Sequence, residues 1–383
     1  MRSPARHRTF LAFLMLMTAG AVALAALVPP PAFAQITPAP GSIIVVRAVG
    51  NQDTLWSIDP STAAATELVT LPFRTSWVEA SPAARRLAFL TLSYDRKPEV
   101  CIYDSSSGAL STWSLAAHGL WAVDSFTWLS SRKLLIAGRA TGNRYLLTDR
   151  LYSLNVENGA FHHYAGLAGT DPSASPAAHR LVFVQLTDGG RVSAASTAHW
   201  IVERLYRLRL ADGAKPVLIA SSRCSTKYFA RAFLGARLSP DGAYVVSFDE
   251  GVGIAGRYVV RSAGSGKVLA SFARRLWGTE EMAWSTHDEV AFWGSSLTTS
   301  NATMRVAVYS VTTESLTQSA LMDNGVSSFA WSPDGTRLAV GLIQSGGPTE
   351  RPGRSELWLF DPITLAAPTD LGAGGGPIFV PGT

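Results

Sequence analysis

The chain has 383 residues, with 33 Lys and Arg against 28 Asp and Glu and a formal charge of +5. Three of the arginines fall within the first eight residues, so the remainder carries 30 basic against 28 acidic residues. That balance argues against a nucleic-acid partner, which depends on a concentrated basic face.

The first 34 residues place those arginines before an uncharged apolar run, Phe10 to Val28, and finish in Ala32-Phe33-Ala34 ahead of Gln35. A basic start, an apolar middle and a small-x-small end make the layout of a secretory signal. The apolar run also approaches membrane-spanning length. Residues 1–34 are therefore read as a cleaved signal peptide or a retained N-terminal anchor. Either reading puts residues 35–383 outside the cytoplasm, as a secreted or periplasmic protein or one tethered to the outer face of the cytoplasmic membrane. No later segment is long and apolar enough to span a bilayer.

From Gln35 onward the chain is repetitive. FAWSPDGTRLAVG, Phe329 to Gly341, echoes GARLSPDGAYVVS, Gly235 to Ser247. In each, Ser-Pro-Asp-Gly divides two apolar runs: proline presets the first turn position, Asp bonds nearby backbone and Gly takes a positive φ. The phrase reads as strand, tight turn, strand. Weaker copies occur at Val78 to Leu90, Phe126 to Gly138, Ser173 to Gln185 and Met282 to Gly294, so the serine position recurs at Ser81, Leu129, Ser175, Ser239, Ser285 and Ser332. The spacing is 46–48 residues, with one step of 64 between Ser175 and Ser239 that an insertion explains. This is the period of a four-stranded propeller blade. A second pair of alternating strands follows each copy, as in ELWLFDPIT, so each repeat is an antiparallel meander of strands A to D.

Gln35 to Leu71 supplies strands B, C and D of one more repeat, at Ile43 to Arg47, Thr54 to Asp59 and Thr66 to Leu71, without a strand A. Pro377 to Val380, after a glycine run, is the segment suited to fill that place and cover an otherwise open sheet edge. The expected fold is all-β: a seven-bladed β-propeller over residues 35–383, closed by pairing of the N- and C-terminal segments, with a six-bladed ring and an accessory hairpin as the alternative. Trp77, Trp128, Trp284 and Trp331 lie at or near the inner strands and are expected to wedge between blades. Cys101 in a C strand and Cys224 in a connection two blades later are expected to remain free thiols, being too far apart to bridge.

WSPDGTRLAV and LSPDGAYVVS, each followed by a strand such as ELWLFDPIT, resemble the WD40-like (PD40) repeats of TolB-type propellers. The resemblance covers nearly all of the exported part, although only Ser239 to Gly242 and Ser332 to Gly335 keep the full phrase. It implies a propeller; relatives of this kind include a periplasmic protein that binds outer-membrane lipoproteins and the propellers that gate prolyl oligopeptidase-type peptidases. The chain as read has room for neither the small α/β domain of the former nor the hydrolase domain of the latter. The family's partner-binding role is therefore not assigned to particular residues.

Motifs for chemistry are sparse. Gly251 to Gly256 matches G-x-G-x-x-G but leads into a strand, not a helix, and Gly264-Ser265-Gly266-Lys267 lacks the rest of a phosphate loop, so both are read as loop or turn. There is no G-x-S-x-G and no H-E-x-x-H. Glu79, Asp171, Arg237 and Glu281 stand two or four residues before a turn position, where inner-strand side chains meet a central channel. Glu79, Asp171 and Glu281 are the candidate catalytic or calcium-binding set of an alternative reading, a metal-assisted lactonase or lyase. The leading expectation is a non-catalytic, monomeric scaffold without cofactor or nucleic acid, which binds a protein or envelope component through the face where the B–C and D–A connections lie. On that face Ala194 to Trp200, including His199 and Trp200, and the arginines Arg351 and Arg354 are the expected contacts.

Overall fold

The computed structural model describes residues 37–50, 52–82, 85–91, 97–140, 149–191, 199–211, 213–225, 233–250, 256–274, 281–296, 303–320, 322, 325–343 and 355–380. The expected leader, residues 192–198 and residues 344–354 lie outside this set. No helix among the described residues is long and apolar enough to cross a membrane.

The described residues form seven four-stranded antiparallel sheets. Blade 2 contains β4 (Thr75–Ala80), β5 (Arg86–Thr91), β6 (Glu99–Asp104) and β7 (Ala109–Ser114). Blade 3 follows with β8 (Leu120–Ser130), β9 (Lys133–Ala140), β10 (Arg150–Asn155) and β11 (Phe161–Ala168), and blade 4 with β12 (Thr170–Ser175), β13 (Arg180–Arg191), β14 (His199–Arg209) and β15 (Val217–Ser225). Blade 5 contains β16 (Leu234–Leu238), β17 (Tyr244–Glu250), β18 (Gly256–Ser262) and β19 (Val268–Arg274). Blade 6 has β20 (Met282–Trp284), β21 (Glu289–Ser296), β22 (Thr303–Ser310) and β23 (Ser315–Gln318); blade 7 has β24 (Gly325–Trp331), β25 (Leu338–Ile343), β26 (Ser355–Phe360) and β27 (Thr369–Ala373).

Blade 1 is assembled from both ends of the sequence, in the order β28 (Gly375–Phe379), β1 (Ile43–Val49), β2 (Gln52–Ile58) and β3 (Ala65–Thr70). Ile43 pairs with Phe379 and Ile44 with Ile378, and the backbone N–H of Val380 donates to the carbonyl of Ser42 at 2.9 Å. The ring is thus seven-bladed and closed by the segment the sequence pointed to.

Alternation along each strand puts one apolar row on each face of a blade, and seven buried clusters fill the seven joints between neighbouring blades. At the closing joint, Ile43, Val45 and Ile58 of blade 1 pack with Ala339, Leu357 and Leu371 of blade 7 and with Phe379. Each such side chain withdrawn from water contributes roughly 1.5–3 kcal/mol.

The two intact turns have matching geometry. Ser239 and Ser332 donate through Oγ to Asp241 and Asp334, both at 2.5 Å, and accept from the N–H of Tyr244 and Arg337, both at 2.9 Å. Gly242 and Gly335 take φ of 72° and 68°, the left-handed region that a side chain disfavours. Two of the degenerate copies keep the serine bond: Ser81 and Ser285 accept from the N–H of Arg86 and Glu289, whereas Ser175 accepts from the N–H of Ala178 and donates to the carbonyl of Pro240.

The structure alters two local expectations. Thr187 to Glu203, expected as a connection, is in large part a hairpin: β13 and β14 continue the pairing through Leu186 opposite Glu203 and Asp188 opposite Ile201 to Arg191 opposite His199. The β-branched Ile201 and Val202 favour extended backbone there. Cys224, expected in a connection, lies within β15, and both cysteines are free. Burial pushes the Cys101 thiol up to about 11, which keeps it protonated and inert.

Candidate functional site

Inner strands from all seven blades border a central cavity of about 880 Å3. Six of the seven pair with their neighbour through a register shift, as between Thr170 and Ser173 in blade 4. These bulges turn the inner strands and re-aim the side chains that reach the channel.

The position two before the turn serine is where neighbouring blades are joined. Glu79 Oε1 accepts from the hydroxyl of Thr127 at 2.7 Å and from the N–H of Trp128 at 3.3 Å. Thr127 Oγ1 in turn accepts from the N–H of Ala174, and Ser173 Oγ from the N–H of Leu238. The tryptophans add a second set of joints. Trp128, Trp284 and Trp331 donate their indole N–H groups to the carbonyls of Glu79, Arg237 and Ala283 at 3.0, 2.9 and 3.0 Å, each in the preceding blade. They are wedges that also carry a directional bond. Trp77 is in β4, but its side chain lies outside the described set.

Glu79, Arg237 and Glu281 line the cavity; Asp171 is not among its lining residues. Asp171 sits in the blade 4 bulge with φ of 49° and is buried, and its charge, with that of Asp124, raises the pKa of Asp149 after burial, the largest cause. Arg139 Nε opposes this from 2.7 Å of Asp149 Oδ1. Glu281 differs from Glu79: no hydrogen bond reaches its carboxyl among the described residues, and burial, opposed by the charge of Arg237, pushes it up to about 7. No group of three or more His, Cys, Asp or Glu among the described residues is placed to hold a metal ion. At one end of the channel Asp53 closes the joint between blades 1 and 2, with Arg74 Nε at 2.8 Å and the N–H and hydroxyl of Thr75 at 2.7 and 2.8 Å.

The face carrying the B–C and D–A connections presents cation–aromatic pairs. The Arg223 guanidinium lies 4.7 Å from the ring centre of Trp200, and that of Arg139 lies 6.0 Å from Trp121, itself 40% exposed. Val49 and Ile343, at the B–C ends of blades 1 and 7, are 56% and 40% exposed. Of the residues expected as contacts, Trp200 is on this face and His199 begins β14 opposite Arg191. Arg351 and Arg354 lie outside the described residues. Trp121 and Arg139 were not singled out by the sequence; a tryptophan in the first two residues of an inner strand was the available signal.

The fold and channel define the class: the chain is an all-β, seven-bladed β-propeller. No family model matches the sequence, and no curated protein matches it. Solved structures similar to it include an oligogalacturonate lyase in complex with manganese, 13% identical over 84% of this chain and 87% of that one with a TM-score of 0.57. The β-propeller domain of the trilobed protease from Pyrococcus furiosus is 12% identical over 89% and 98%, with a TM-score of 0.51. TolB from Acinetobacter baumannii is 14% identical over 95% of this chain and 71% of that one, with a TM-score of 0.47. At these identities the likeness is one of fold, a fold that hosts unrelated activities.

Proposed function

We propose that the protein is an exported, non-catalytic scaffold built of TolB-type PD40 repeats, which acts as a monomer in the periplasm or outside the cell and docks a protein or other envelope component on the face of its B–C and D–A connections. The observation that carries this reading is the pairing of Trp121 with Arg139 and of Trp200 with Arg223 on that one face. Tryptophan and arginine are the residues most enriched at the energetic centres of protein interfaces. The apolar Val49 and Ile343 extend the same face. The basic, apolar leader supports export, and the two intact Ser-Pro-Asp-Gly turns support the repeat family.

The test is capture from native envelope extract by the tagged protein and by a Trp121→Ala/Trp200→Ala double variant. Partners retained by the wild type are expected to fall at least about tenfold in the variant, with the melting temperature nearly unchanged. Equal capture by a folded double variant would overturn the assignment of this face.

A further inference from the structure

The channel carries chemistry that the docking face does not use. Glu281 immediately precedes β20, and Arg237 lies in β16 of the neighbouring blade; both border the same cavity. Glu79, which lines the same cavity from blade 2, is engaged by Thr127 and Trp128, whereas Glu281 accepts no hydrogen bond from a described residue. Ser327 and Ser328 of blade 7 line the same cavity, and Met282, Trp284 and Phe329 supply apolar wall. The volume falls within the range of small-molecule sites, in which an apolar lining with a few convergent polar groups fixes the ligand.

The two charges define what fits. A simple anion drawn to Arg237 meets repulsion from an ionised Glu281, and a simple cation drawn to Glu281 meets repulsion from Arg237; a molecule bearing both charges satisfies both. We propose that the central channel binds a small zwitterion, with a primary ammonium group held by Glu281 and an anionic group held by Arg237. Occupation of this kind relieves the cost of ionising a half-buried carboxyl by giving it a charged hydrogen-bond donor.

The pH dependence follows. Burial holds the Glu281 carboxyl at about 7 in spite of Arg237. Below that pH it is protonated and must release its proton to hold an ammonium group, so affinity rises as pH increases through 7. The other charged groups lining the channel are Glu79 and the paired Arg74 and Asp53; Glu79 is tied to Thr127.

Titration calorimetry on the purified protein with β-alanine, γ-aminobutyrate and 5-aminovalerate, a ruler of charge separation, tests this, with butylammonium and butyrate as singly charged controls. At least one zwitterion is expected to saturate at pH 8, both controls to bind about tenfold more weakly or worse, and Glu281→Gln and Arg237→Gln each to weaken the zwitterion about tenfold or more. Binding is expected to weaken at pH 6 in the wild type and to lose that pH dependence in Glu281→Gln. The proposal is overturned if none of the three zwitterions saturates, if a control binds equally well, or if a folded Glu281→Gln variant keeps wild-type affinity.

Discussion

In blades 2 to 4 the residue two before the turn position is Glu79, Thr127 or Ser173, and each accepts a hydrogen bond from the N–H of the next blade's inner strand. In blades 5 and 6 the same register holds Arg237 and Ala283, whose side chains cannot accept, and the joint is made by the indoles of Trp284 and Trp331 on their backbone carbonyls. Where the side chain is the mortar, it is committed to the fold. In this second sector Arg237 and Glu281 line the cavity, with Arg237 Nη1 donating to the carbonyl of Ala236 at 3.2 Å.

The comparison is broken most severely at Glu79. Glu79→Ala leaves the Thr127 hydroxyl and the Trp128 N–H without their acceptor, and is expected to cost about 2–3 kcal/mol in a urea titration. Loss of less than about 0.5 kcal/mol would mean that the side-chain joints of blades 2 to 4 carry little.

Glu281→Gln is expected to move the other way. The folded-state carboxyl, at about 7, lies above its unfolded value near 4.5, so the folded protein holds a proton that the unfolded chain releases, and wild-type stability falls as pH rises between those values. The variant escapes this. Its stability is expected to match the wild type near pH 4 and to exceed it on the order of 2 kcal/mol at pH 8, read from denaturation midpoints at the two pH values. The smallest effect is expected at Trp331→Phe, which keeps the wedge and loses one indole bond, at about 1 kcal/mol in the same titration.

The propeller was legible because its information is periodic. A spacing of 46–48 residues, the Ser-Pro-Asp-Gly turns and alternation within each strand all repeat, so weak copies such as Ser285 were located by strong ones such as Ser332. Even the closing strand could be found by asking what completed the first repeat, to within two residues of β28, Gly375–Phe379. The channel was legible only in part. Spacing put Glu79, Arg237 and Glu281 on its wall correctly, but counting back from the turn assumes a regular pleat. At Asp171 the bulge between Thr170 and Ser173 and a positive φ break that pleat, and a bulge leaves no period in the sequence. Spacing set Glu79 two residues and Glu281 four residues before the turn position, but it did not give the neighbour across the joint: a threonine hydroxyl in one case and an arginine in the other.

The order in which β28 and β1 appear has a consequence for how the molecule is made. The strand that completes the first sheet is synthesised after those of the other six, so six sheets can form behind a first sheet whose innermost edge stays bare until residues 375–379 arrive. Until then that edge is a template for any extended segment nearby. A ribosome that stops before residues 375–379 therefore releases not a slightly shortened product but an unsealed circle with an adhesive rim, a hazard to its neighbours.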